Sequence, residues 1–438
     1  MSSIRVITLG CSKNSVDTEH LLALLPDGLE IRREDDPRPV DILCINTCGF
    51  IGDAKEESIQ TILEAVESKR AVDVSCLIVF GCLSQRYAEE LPAEIPEVDA
   101  WFGARDLLPV ASRIAEFAGL TLPETDDAAR YRTDPSKPYA YLKISEGCDR
   151  RCSYCAIPLI RGAHRSVPIE KLEAEARTLA GSGVRELILI AQDSTYYGLD
   201  IYHRRALADL LRRLSAIEGI EWIRIHYSYP DGFPDDVLDE IASNPKICKY
   251  IDIPLQHIAD PVLDAMHRHV DSAWTRSLVA RMRDRVKGVV LRTTMIVGHP
   301  GEGEKEFSEL LDFVREARFE RLGVFCYSEE EGTWGAQNLV DDVPEATKRQ
   351  RYDALMSLQR DVSLDFNRSR VGQVVRVLVD AYEDGCLICR SMYESPEVDG
   401  EILVSLDDAT CGNGLVGGFV DVRIVAADEY DLAAELIS

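Results

Sequence analysis

The sequence has no run of eighteen apolar residues, so it offers no helix able to span a bilayer. No leader is expected either. Met1 to Gly10 carries one Arg and a short apolar stretch that reads as a strand, with neither the h-region nor the small-residue cleavage site of a signal peptide. The expected location is therefore the cytoplasm. No tract of solenoid period or low complexity stands out, which leaves ordinary globular domains. Basic residues are scarce: 49 Lys and Arg face 76 Asp and Glu, a net charge of -27. A surface of that sign repels a phosphate backbone, which argues against naked nucleic acid as a partner and for a basic one.

What is present is a chain of 438 residues, 46% hydrophobic and 29% charged, long enough for two or three domains with sizeable cores and no need of disulfides. From Ile4 to about Phe117, short β-rich runs (IRVITLGC, DILCINTC, SCLIVFGC) alternate with helical stretches, among them Ser15 to Leu25 and Ala54 to Lys69. That rhythm predicts a doubly wound α/β domain with a parallel sheet over about residues 1–120. A linker rich in Pro, Asp and Thr follows. The β-then-α rhythm restarts over 134–370 with AYLKISEG, RELILIAQ, EWIRIHY, KYIDIPL, VVLRTTMIVG and RLGVFCYS, and a long helical stretch from Pro344 to about Ser369 closes it. Six such repeats predict an open version of the eight-stranded α/β barrel, an open (βα)6 domain. Residues 371–438 carry only β runs broken by Gly and Asp turns, which predicts a small β-barrel of the oligonucleotide-binding type.

Thirteen cysteines, an odd number in a reducing compartment, point to metal binding or thiol chemistry before a disulfide framework. Cys148, Cys152 and Cys155 follow the first strand of the expected barrel at its C-terminal end, where barrel enzymes place their chemistry. Thiolates select zinc or iron-sulfur clusters, and a closed structural site wants four protein ligands. Three local thiols imply a cluster with one open iron. The alternatives are a zinc site borrowing a distant fourth ligand, such as His164, or three unconnected thiols.

Cys11, Cys48 and Cys82 each terminate a predicted strand of the first domain, as LGC, NTC and FGC. A parallel sheet places ligands at the carboxyl ends of its strands, so these three thiols can converge on a second metal site or simply be buried. Cys44 and Cys76 lie upstream in their strands, about 13 and 20 Å from the crevice at ~3.3 Å per residue, and read as buried strand thiols. Cys386 and Cys389 have thioredoxin-like spacing but no following helix, and they too read as buried.

The loop CDRRCSYC, with Tyr154 before the third cysteine, resembles the cluster motif of the radical S-adenosylmethionine (SAM) enzymes. LGCSKNSVDTE, INTCGFIGDAKEES and VFGCLSQR resemble the N-terminal domain of the methylthiotransferases within that superfamily. YAYLKISEGC, IPLIRG, HRS, Ala191-Gln192-Asp193, DIPLQH and MIVGHPGE resemble their catalytic domain, and the C-terminal region resembles a TRAM domain. One departure is His299, where an aromatic or apolar residue is expected before Pro300.

The resemblance implies two 4Fe-4S clusters, one on Cys148, Cys152 and Cys155, which also binds SAM, and an auxiliary one on Cys11, Cys48 and Cys82. One SAM would methylate sulfur at the auxiliary cluster and another would yield a 5'-deoxyadenosyl radical. Tyr154, Gln192, Arg224, Gln256 and His257 are candidate contacts to SAM or substrate, with structural roles equally open for the four at strand ends. A low-potential electron donor such as flavodoxin or ferredoxin is implied as a partner.

Members of the family modify either adenosine in transfer RNA or an aspartate of ribosomal protein S12, free or in the small subunit. Cys11-Ser12-Lys13-Asn14 and Cys48-Gly49-Phe50-Ile51 resemble the second kind. Residues 371–438 hold fourteen Asp and Glu, three Arg and no Lys, a net of -11, which suits a basic protein better than phosphates. The expected product is a 3-methylthioaspartyl residue. A transfer RNA substrate, or a noncatalytic iron-sulfur scaffold or sulfur carrier, are the alternative readings.

Overall fold

The computed structural model describes residues 1–124, 129–406 and 412–437, so residues 125–128 of the expected linker and 407–411 of the last region lie outside the described residues. Packing divides the chain into two compact units. The first comprises Met1–Asp134, Glu146–Thr178 and Glu330–Thr333, and the second Pro135–Ser145, Leu179–Glu329 and Trp334–Ser438. No helix among the described residues is long and apolar enough to cross a membrane.

The first unit is built on a parallel sheet of β1 (Ser3–Thr8), β2 (Glu30–Arg32), β3 (Val40–Thr47), β4 (Val74–Gly81) and β5 (Ala100–Trp101), ordered β2-β1-β3-β4-β5. Its central strands read as near-continuous apolar runs because helices cover both faces. On one face Ile42, Cys44, Cys76, Ile78 and Phe80 pack with Leu21 and Leu22 of helix Ser12–Ala23 and with Val110 and Ile114 of helix Leu108–Ala118. On the other, Leu43, Ile45, Leu77 and Val79 meet Ile62, Ala65 and Val66 of helix Gly52–Arg70. Cys44 and Cys76 are thus core side chains, 0% and 1% exposed, and burial pushes the Cys76 thiol up to about 11.

The second unit holds six parallel strands in sequence order: Tyr139–Lys143, Glu186–Ile190, Trp222–Ile225, Ile247–Asp252, Val290–Val297 and Arg321–Cys326. The sheet is an open (βα)6 arrangement. A helix of 25 residues, Glu345–Ser369, leads into a closed five-stranded barrel formed by Val374–Glu383, Cys386–Arg390, Ile402–Ser405, Phe419–Ala427 and Leu432–Leu436. Strand alternation turns Val377, Val379, Leu387, Cys389, Ile402, Val404, Val422 and Ile424 inward. Cys389 is buried and Cys386 half-buried, with no helix beginning after them.

Buried charges join this small barrel to the six-stranded sheet. Glu186, fully buried at the start of its strand, takes 2.7 Å bonds from Arg224 and from Arg390 of the small barrel. Arg390 also donates to Asp380 at 2.8 Å. Glu394 accepts from Arg321 at 3.2 Å and from Arg370. The long helix adds neutral bonds, with Ser363 and Asn367 donating to carbonyls of residues 428–430.

Removing one partner of such a network leaves the others charged in a dry interior. Glu186→Ala, which strands Arg224 and leaves Arg390 with the Asp380 carboxylate alone, is expected to lower unfolding free energy by about 3–5 kcal/mol in denaturant titration. Acid should dissolve the same joint. Burial alone would raise the Glu394 carboxyl, yet the guanidiniums of Arg370 and Arg321 hold it down at about 2. A depressed carboxylate contributes stability above its unfolded value and loses it as pH falls toward the folded one. Stability should therefore decline from about pH 4.3 toward 2, and Glu394→Gln should flatten that slope in pH-dependent melts.

Candidate functional site

In a sheet of order 2-1-3-4-5 the crevice lies beyond the carboxyl ends of the strands, at the reversal between β1 and β3. Cys11 follows β1, Cys48 directly follows β3 and Cys82 directly follows β4. Two left-handed glycines let the backbone close in. Gly10 (φ +91°) turns the chain after β1 so tightly that an added Cβ would stand 2.8 Å from the Cys48 Sγ. Gly81 (φ +108°) ends β4 against Asn46 and Thr47, where a Cβ would meet the Asn46 Oδ1 at 2.6 Å. Helix Ser12–Ala23 begins three residues earlier than the polar pattern suggests, because this turn leaves Cys11 extended as its N-cap and the amides of Asn14 and Ser15 already bond to the Cys11 carbonyl.

Cys11 is exposed, while Cys48 and Cys82 are 8% and 7% exposed. Burial pushes the Cys82 thiol up to about 11 against the pull of Arg161, and burial raises Cys48 as well; the charge of Cys11 adds to both. Among the described residues no three His, Cys, Asp or Glu are grouped as for a single metal ion. A 4Fe-4S cluster makes no such demand, since its thiolates bind different irons. Three soft donors around a crevice, one of them next to a cation, fit such a cluster.

The loop thiols belong to the same compact unit. Cys148, Cys152 and Cys155 are all half-buried. The Cys155 amide donates to the Cys152 carbonyl at 3.1 Å, and the Cys148 amide to the carbonyl of Gly162 at 3.0 Å, so the start of the loop is tied to the end of helix Ile157–Arg161. Arg151 in its middle takes a left-handed φ of +54°. Tyr154 is half-buried. The His164 Nε2 lies 3.0 Å from the Ser166 hydroxyl.

Arg161, which the sequence reading passed over, ends that helix 4% exposed. Its guanidinium reaches the Cys82 Sγ at 3.2 Å, Asn14 Oδ1 at 2.6 Å, Asp17 Oδ2 at 2.6 Å and Glu146 Oε2 at 3.0 Å. A charge among Ile and Pro, six positions after the third cysteine, was the available signal.

In the second unit Gln192 follows strand Glu186–Ile190 and is half-buried. Gln256, beyond strand Ile247–Asp252, is held at φ +74°, a conformation costly for a residue with a Cβ. Its Oε1 is buried with no hydrogen-bond partner among the described residues, an acceptor that suits a polar ligand. His257 is fully buried, its Nδ1 accepting from the Ala259 amide and its Nε2 3.2 Å from Glu302. Arg224 is 0% exposed, its guanidinium engaged by Glu186 and by the Met392 carbonyl at 3.0 Å. His299 sits edge-on to Tyr327, and burial pulls it down to about 4, so a neutral ring fills the place of the expected apolar residue.

Comparisons with known proteins agree with this architecture. Residues 3–103 match the uncharacterized protein family UPF0004, 142–314 the radical SAM superfamily and 371–437 the TRAM domain. The chain is 48% identical to the ribosomal protein uS12 methylthiotransferase RimO of Porphyromonas gingivalis, covering 99% of both chains. It is 47% identical to the protein of that name from Cytophaga hutchinsonii, over 100% of this chain and 98% of the other. Among solved structures, the radical SAM methyltransferase TsrM from Kitasatospora setae, with cobalamin and a [4Fe-4S] cluster bound, superposes with a TM-score of 0.57 at 13% identity, over 74% of this chain and 72% of that one. With six parallel strands, a three-thiol loop and relatives of nearly half-identical sequence from end to end, the chain belongs to the radical SAM methylthiotransferase family.

Proposed function

We propose that this enzyme replaces a hydrogen on the β-carbon of an aspartate in ribosomal protein uS12 with a methylthio group. Full-length relatives at 46–49% identity are named ribosomal protein uS12 methylthiotransferase, and this observation carries the reading; the aspartate β-carbon comes from the family resemblance. The same reading assigns residues 1–120 to the sulfur-handling domain, 134–370 to the radical SAM domain and 371–438 to the TRAM domain.

Cys148, Cys152 and Cys155 hold one 4Fe-4S cluster and Cys11, Cys48 and Cys82 a second. When bound, the first cluster supplies the electron that cleaves SAM and the second presents the sulfur to be methylated. The chain's own task is to position and shield. Half-buried thiols keep the loop cluster accessible to SAM, Tyr154 flanks it, and the Gln256 acceptor and Gln192 offer polar contacts beyond strand ends. Arg224 and His257 have structural roles, since their polar atoms are taken up by Glu186, the Met392 carbonyl, Ala259 and Glu302. A low-potential donor of the flavodoxin or ferredoxin type would deliver electrons.

Charge supports the protein substrate. Some acids of the small barrel are neutralised and others face solvent. Asp380 and Glu394 are spent on Arg390, Arg321 and Arg370, whereas Glu383, Asp384, Glu401, Asp421, Asp428, Asp431 and Glu435 are exposed. An exposed acidic face speeds encounter with a strongly basic ribosomal protein and rejects RNA.

Three experiments test this reading. With three ligands and none in reserve, Cys152→Ala should abolish 5'-deoxyadenosine formation under dithionite, while replacing Cys11, Cys48 and Cys82 with Ala should halve the iron, retain SAM cleavage and end methylthio transfer. Full iron and full transfer in the triple variant would remove the second cluster from this crevice. Mass spectrometry of both candidate substrates should find the methylthio mass on an aspartate of uS12, and finding it on a transfer RNA adenosine instead overturns the assignment. Glu383, Asp384 and Asp421 changed together to Lys should slow uS12 modification about tenfold at low salt and leave SAM cleavage alone.

A further inference from the structure

Arg161 has an unusual set of partners for a structural ion pair. Two carboxylates, Asp17 and Glu146, already balance the guanidinium, and Asn14 and the Ala104 carbonyl take further hydrogens. Yet its Nη2 also points at the Cys82 sulfur, 3.2 Å away, inside an apolar patch of Cys82, Ala104, Ala156 and Ile160. A neutral thiol is a weak acceptor and gains little from a buried cation. A thiolate that carries cluster charge gains much more, because a charge-assisted bond is strong in a low-dielectric setting. Asn14 and Asp17, two of the other partners, lie on helix Ser12–Ala23, which Cys11 caps. The Cys11-Ser12-Lys13-Asn14 segment is therefore tied through one guanidinium to Cys82 and to the helix that follows the radical SAM loop.

We propose that Arg161 is a positioning residue of the strand-end cluster, which fixes the Cys82 sulfur by a hydrogen bond and, with Asp17 as counter-charge, sets the reduction potential of that cluster. The inference rests on the assignment of Cys11, Cys48 and Cys82 as ligands. Hydrogen bonds to ligand sulfur and nearby positive charge favour the reduced, more negative form of a cluster and so raise its potential. Arg161→Gln removes the charge and leaves Asp17 uncompensated, which favours the oxidised form. Asp17→Asn does the opposite, leaving the Arg161 charge on the sulfur less balanced. The two substitutions must therefore move the potential in opposite directions, something that a general loosening of the fold would not do.

The test is an EPR-monitored redox titration of the full-length chain carrying Cys152→Ala, so that the strand-end cluster is the redox centre observed. Arg161→Gln should shift its midpoint to more negative potential, Asp17→Asn to less negative potential, and Arg161→Lys should fall between Arg161→Gln and the parent. If Arg161→Gln loses its iron, the direction of the Asp17→Asn shift decides by itself. Unmoved midpoints, or shifts of the same sign in cluster-bearing variants, overturn the role of Arg161 and leave the ligand assignment standing. A parent chain with no reducible cluster overturns the ligand assignment and this inference together.

Discussion

Parallel strands all end on the same side of their sheet, and each chemically useful group of this protein stands just beyond such an end. Cys11, Cys48 and Cys82 follow β1, β3 and β4, Cys148 comes a few residues after strand Tyr139–Lys143, and Gln192 and Gln256 come after theirs. A strand end is where backbone pairing stops and where a loop can present side chains without disturbing the core. The cost is conformational, met by left-handed backbone at Gly10, Gly81 and Gln256. A cysteine placed in the middle of a strand meets the opposite fate: Cys44 and Cys76, pinned inside a core, are inert by burial.

Arginine is the residue that both units use at their joints. In the first, Arg161 gathers Asn14, Asp17, Glu146 and Cys82. In the second, Arg224 and Arg390 close on Glu186 while Arg321 and Arg370 close on Glu394. A guanidinium keeps its charge when buried and offers several donors in a fixed plane, so one side chain can serve partners from separate segments. In an acidic chain this use of arginine has a second effect. Arg390, one of the three arginines of the small barrel, is spent inside, and the barrel's surface keeps the negative sign that bears on partner choice.

Parts of this organisation were legible without coordinates. The three regions and the six β-then-α repeats follow from hydrophobic period, which acts over a few residues and is written directly in the sequence. CDRRCSYC is readable for the same reason, as its ligands lie within eight positions. Cys44 and Cys48 are separable by register along a single strand. Helix Ser12–Ala23 shows where such reading slips: its start depends on the Gly10 turn and on Cys11 as an N-cap without a side-chain bond, which no polar capping residue announces.

The sequence by itself determined the strands, the loop thiols and the charge of each region, because propensity, spacing and net charge are local or additive. Only the tertiary structure decided which charges are neutralised and which thiols meet. Arg161 bonds to a sulfur 79 positions away, and Arg390 to a carboxylate 204 positions away. Asp380 and Asp384 look alike in the sequence, yet one is locked to Arg390 and the other is exposed. Nothing periodic encodes such pairings; they exist because strand order and glycine turns bring distant segments to one place, where desolvation makes each partner's presence obligatory.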